Sequence, residues 1–143
     1  MSPVFPTLDA LTMQPAQLAI PCVAALGLLL FVSGFFVSVT RARFWTLHAG
    51  ANDPAHALTK AVRAHGNTAE YAAFLALLIW LAGQHSQAAW VGWTMLAATV
   101  SRYAFVAGVL LSPTLAKPHP LRAVGAFGTY LCGPALCVAL LPG

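Results

Sequence analysis

Apolar residues in this chain come in long unbroken runs, separated by short stretches that hold most of the prolines, polar residues and charges. Four runs stand out, over about 17–39, 61–83, 88–111 and 121–141. Each is close to the roughly 20 residues that a helix needs to cross a hydrocarbon layer. The first is closed by Thr40-Arg41-Ala42-Arg43 and followed by a polar connection, 44–60, with Gly50, Asn52, Asp53 and Pro54 as loop formers. A neutral turn at 83–87 joins the second run to the third, and a stiff connection at 112–120, with Pro113, Pro118 and Pro120, joins the third to the fourth. There is no internal repeat and no low-complexity tract. The pattern predicts an all-α integral membrane protein, a bundle of four transmembrane helices filling all 143 residues as one domain. The segment before the first run holds Asp9 and no Lys or Arg, whereas a signal peptide needs a positive start. Pro21 also makes a lipoprotein cleavage at Cys22 poor, so the first run is expected to be a retained helix.

Composition agrees and removes other classes. Hydrophobic residues make up 59% of the chain and charged residues 7%, against about 25% charged in soluble domains. Ten charged side chains cannot cover a water-facing surface, and disorder requires the opposite bias. The net charge of +4 forms no basic stripe interleaved with aromatics, so no nucleic-acid partner is expected. The charge instead reports orientation. Arg41, Arg43, Lys60, Arg63, Lys117 and Arg122, six of the seven basic residues, sit in or beside the first and third connections. The positive-inside rule makes those connections cytoplasmic and turns both termini outward. Trp80, Trp90 and Trp93 then fall toward the outer surface as interface anchors, with Phe44 and Trp45 anchoring the cytoplasmic side. Cys22, Cys132 and Cys137 lie in apolar stretches and read as buried free thiols.

The chemistry lies where polarity interrupts the apolar runs. The second run opens Arg63-Ala64-His65-Gly66-Asn67-Thr68-Ala69-Glu70-Tyr71. Arg63, Asn67 and Glu70 are spaced i, i+4, i+7, which puts them within roughly 60° on one helix face. A membrane-centre charge costs on the order of 2.5 to 3.5 kcal/mol, so such a stripe needs a partner or a polar cavity. Arg102, in the third run, reaches the same depth from the opposite direction. It is expected to meet Arg63 and Glu70, with Asn67, Tyr71 and Tyr103 beside them. The group is either a structural ion network or a site for an anionic ligand, and two arginines to one carboxylate suit the second. His65 falls about 200° round the helix from Arg63 and faces elsewhere. No metal or haem site is expected from the scattered histidines. Ala97, Ala98, Ala104, Gly108, Gly125 and Gly128 suit close helix contacts.

The run from Arg63 to Tyr71 resembles the signature of the MAPEG family, membrane-associated proteins in eicosanoid and glutathione metabolism, and is most similar to its small bacterial branch. Arg41-x-Arg43, and Arg102 followed by Gly108, are similar to the family as well, so the resemblance covers about 39–108. It implies a left-handed four-helix bundle assembled as a homotrimer, in a bacterial inner membrane. Glutathione, as co-substrate, would lie between subunits in a cytoplasm-facing pocket. Arg63, Asn67, Glu70 and Tyr71 match the family's glutathione-contacting positions, and Tyr103 falls near another.

What the resemblance implies about activity is a glutathione-dependent transferase or peroxidase acting on lipophilic electrophiles or lipid hydroperoxides. The chain departs from the family in having Ala73 where Pro is frequent and Val106-Ala107 where bacterial relatives tend to have tyrosines. It also has no arginine over 110–116 to activate the thiol, which leaves Arg102 as the expected catalytic cation, or else Lys117 or Arg122. The alternative is a non-catalytic trimer on the same scaffold that binds lipid or a partner. A small multidrug transporter also has four helices and one membrane Glu, but it carries that Glu in its first helix and without neighbouring arginines.

Overall fold

The computed structural model of the chain describes residues 14–46 and 53–141. Four helices follow one another: α1 (Pro15–Arg43), α2 (Ala57–His85), α3 (Ala89–Leu111) and α4 (Pro120–Val138). Proline stands in the first turn of α1 and of α4, where its missing N–H costs nothing. α1 continues past residue 39 through Arg43, because arginine is a good helix former and its charge suits a helix C-terminus. α2 starts at Ala57, inside the stretch read as connection. His56 caps it, its Nδ1 accepting from the Leu58 N–H at 3.2 Å. The polarity of that turn belongs to a cap and not to a loop. α4 ends at Val138, short of residue 141. His48, Gly50 and Asn52 lie outside the described residues.

The helices pack as two antiparallel pairs. Along α1 and α2, Gly83 lies against Ala19 and the Pro15 carbonyl, and His65 lies against Gly34 with its Nδ1 3.1 Å from Ser33 Oγ. Along α3 and α4 the backbones come closer still. A Cβ on Gly125 would stand 2.7 Å from the Ser101 carbonyl, and Gly108 lies on the backbone of Arg122. Small residues allow this approach, which is how helices associate where no water drives them together. Leu26, Ile79, Val91, Met95 and Leu136 fill the core between the pairs, toward the end without basic residues.

α1, α3 and α4 are long and apolar enough to cross a membrane. α2, at 29 residues, is long enough but too polar in its first half, which carries Lys60, Arg63, Asn67 and Glu70. Composition therefore singles out three crossing helices where four were expected, and α2 lies antiparallel along one of them. All three tryptophans of the end without basic residues are about half exposed. The three cysteines are free, but only Cys22 is buried; Cys132 is half-buried and Cys137 exposed.

Candidate functional site

The polar stripe of α2 holds its spacing in three dimensions. Arg63, Asn67 and Glu70 line one cavity of about 320 Å³, together with Gly66 and Leu115. Gly66 matters by what it lacks: a Cβ built there would meet nothing within 4 Å, so the missing side chain leaves the cavity open. A second cavity, of about 350 Å³, shares Arg63, Asn67 and Leu115 and adds Phe105, Arg122 and Tyr130. Two guanidinium groups, from α2 and α4, thus line a space with no carboxylate in its wall.

The connection between α3 and α4 builds that wall by folding back over the start of α2. The Leu115 N–H donates to the Pro54 carbonyl at 2.9 Å, and Lys60 Nζ donates to the Ser112 carbonyl at 3.1 Å. Arg122 spans the same connection, donating to the carbonyls of Leu115 at 3.4 Å and Lys117 at 3.0 Å. Two of the five donors of its guanidinium are used in this way among the described residues.

Arg102 is not where the sequence reading put it. It reaches the expected depth, but the residue is only 1% exposed and lines neither of these cavities. One amino group donates to Asn67 Oδ1 at 2.8 Å and another weakly to Thr129 Oγ1 at 3.5 Å. Its carbon lies 5.2 Å from the Tyr71 ring centre and 5.0 Å from that of Phe105. Among the described residues, no ion pair joins Glu70 to either arginine. The expected three-way cluster is thus replaced by a stripe that faces open space and a buried arginine that ties α2, α3 and α4 together. Aromatic faces offer a buried cation partial compensation without a counter-charge. Tyr103 lies apart. Its hydroxyl donates to the Ala25 carbonyl of α1 at 2.9 Å, and it lines none of the cavities described.

Arg102 also fixes the orientation of Asn67. With the amide oxygen taken by the guanidinium, the NH₂ group is left to donate, so that position recognises an acceptor.

Beyond Glu70 the surface becomes apolar. A groove of about 670 Å³ runs between α2 and α4 past Tyr71, Phe74, Leu75, Pro134 and Cys137. Glu70 lines both this groove and the smaller cavity, and Tyr130 lines both the groove and the larger, more polar one. Tyr130, Gly66 and Leu115 were not anticipated from the sequence. The one local signal for Tyr130 was the polar pair Thr129-Tyr130 inside an otherwise apolar run.

Residues 18–142 fit the model of the MAPEG family, nearly the whole chain. No curated protein matches the chain.

Proposed function

The chain belongs to the MAPEG family, and on that premise we propose that it is a glutathione-dependent membrane transferase or peroxidase acting on lipophilic electrophiles or lipid hydroperoxides. Membership makes it a membrane protein related to glutathione or eicosanoid metabolism. The observation that carries the finer reading is the continuity of unlike spaces. Two cavities with arginines in their walls, the larger of them predominantly polar, join, through Glu70 and Tyr130, an apolar groove about twice the size of either. A reaction between a charged tripeptide and a lipophile needs that junction.

The roles follow from the chemistry of glutathione. Arg63 holds a carboxylate in bidentate fashion, the Asn67 amide donates to a second acceptor, and Glu70 pairs with the α-ammonium group. Tyr71 contacts the ligand beside Glu70. A free thiol near pKa 8.5 is mostly protonated at neutral pH, and a neighbouring cation favours the thiolate. Arg122 supplies that cation, because it lines the cavity and Arg102 does not. Arg102 acts from behind, through Asn67. The thiolate then meets an electrophile lying in the groove. Tyr103, turned toward α1, takes a part only if a neighbouring subunit brings it to the pocket, in the homotrimer that goes with this reading. In the membrane, the basic end faces the cytoplasm, where glutathione is held reduced.

Calorimetric titration of the detergent-purified protein with glutathione tests the assignment. Arg63→Ala and Glu70→Gln each remove a charge-assisted hydrogen bond of about 1.5–3 kcal/mol, which lowers affinity by about 10- to 100-fold. Wild-type affinity in both variants ends the glutathione reading. Binding without turnover of any electrophile or hydroperoxide replaces it with the non-catalytic trimer.

A further inference from the structure

Tyr130 occupies the boundary between the two kinds of space. It is on α4, two turns past Arg122, and shares with Arg122 the wall of the larger polar cavity. It is also part of the wall of the apolar groove. Its ring lies 6.0 Å from that of Tyr71, tilted by 57°, so the two phenols stand side by side at the polar end of the groove. The other polar groups there are differently committed. The Glu70 carboxylate offers acceptor oxygens. The Thr129 hydroxyl donates to the Gly125 carbonyl at 2.8 Å and accepts from Arg102. Tyr71 lines the groove and is not part of the wall shared with Arg122. Tyr130 is therefore the neutral hydroxyl donor common to the groove and to the cavity that holds the arginines.

From this we propose that Tyr130 is a catalytic residue that donates its hydroxyl proton to the substrate, and that the second substrate is a lipophile whose reaction places negative charge on oxygen. The proposal rests on the glutathione reading above. With an α,β-unsaturated ketone the step balances as follows. The glutathione thiol loses its proton to water, and its sulfur forms a bond to the β carbon. The carbon–carbon π pair moves into the bond between the α carbon and the carbonyl carbon, and the carbonyl π pair moves onto oxygen, which takes the Tyr130 proton. The resulting enol becomes the ketone by taking a proton on its α carbon and losing the one on oxygen. The phenolate is reprotonated from water, and no oxidant or reductant is required. A donor aimed at a developing oxyanion accelerates only reactions that develop one. An alkyl halide gives up chloride with its bonding pair and gains far less from the same hydroxyl.

The test compares two electrophiles on one protein. Tyr130→Phe removes one oxygen atom and keeps the ring that packs on Tyr71. For wild type and variant, kcat/KM is measured with a long-chain enone and with a benzyl chloride at saturating glutathione. Taking the ratio of the two cancels any change in glutathione binding or thiolate formation. Loss of a single oxyanion donor costs about 10²- to 10³-fold in enclosed sites. Tyr130 is 56% exposed on the single chain and so less enclosed than such donors, which lowers the expected effect. A fall in the enone-to-chloride ratio of at least about tenfold is expected. An unchanged ratio overturns the proposal, whether both rates fall together or neither falls. Glutathione titration of the wild type separates the two levels: an absent binding signal removes the reading beneath, while intact binding with an unchanged ratio removes Tyr130 alone.

Discussion

Replacing Gly66 by leucine separates the cavity from the fold. The α carbon of Gly66 faces the space lined by Arg63, Asn67 and Glu70, and a Cβ there has no neighbour within 4 Å. A leucine thus meets no protein atom at its first carbon, and the helix exchanges its worst ordinary former for a good one. That exchange stabilises by roughly 0.5–1 kcal/mol. The same side chain extends into a cavity of about 320 Å³ between the groups assigned to glutathione. Stability and binding are expected to move in opposite directions, with a slightly raised melting temperature and affinity reduced at least about tenfold, or 1.4 kcal/mol. Gly27→Leu on α1 is the control, since a Cβ there also meets nothing within 4 Å and the position lines none of the cavities. Thermal melts in detergent and glutathione calorimetry on both variants decide the matter. Wild-type affinity in Gly66→Leu, with the fold intact, refutes the placement of glutathione in this cavity.

Other variants address other parts of the account. Arg122→Gln removes the cation that faces the thiol, so the charged form loses support and the apparent pKa of bound glutathione rises. A rise of about 1 unit lowers the thiolate fraction at neutral pH roughly tenfold, read as a shift of the ultraviolet thiolate signal to higher pH. An unmoved titration curve assigns activation to another group. Gly125→Leu drives a side chain into the Ser101 carbonyl and the Phe105 backbone. Overpacking of this kind costs about 1–3 kcal/mol or more, which a melting curve in detergent measures, and wild-type stability contradicts the α3–α4 contact. Asn67→Asp keeps an acceptor for Arg102 but removes the NH₂ donor, so it weakens glutathione binding without loosening the fold, and unchanged binding contradicts the orientation set by Arg102.

The four helices were legible because runs of about 20 apolar residues leave the backbone no other way to satisfy its hydrogen bonds in lipid. The helix ends were less so. The residues from Ala57 to Lys60 read as loop because polarity at a capped, water-facing turn resembles polarity in a connection. The stripe Arg63, Asn67, Glu70 was legible from spacing alone, since three residues on one helix keep their relation whatever packs around them. Arg102 was not. Its depth followed from counting residues along α3, but depth does not say which face a side chain takes. The burial of Arg102 between Tyr71 and Phe105 depends on how three helices meet. The same holds for Arg122 and Tyr130, which reach the cavity because Gly108 and Gly125 let α4 lie directly on α3. The fold of the proline-rich connection over α2 rests on single contacts such as Leu115 to Pro54, and spacing carries no trace of those.

The most direct test of the central claim is a glutathione titration of the detergent-purified wild-type protein at neutral pH, followed by the ultraviolet absorbance of the thiolate. The account predicts a saturable thiolate signal that titrates below the pKa of free glutathione. Saturable heat of binding with no thiolate contradicts activation by Arg122, and no binding at all reduces the stripe of Arg63, Asn67 and Glu70 to part of the scaffold.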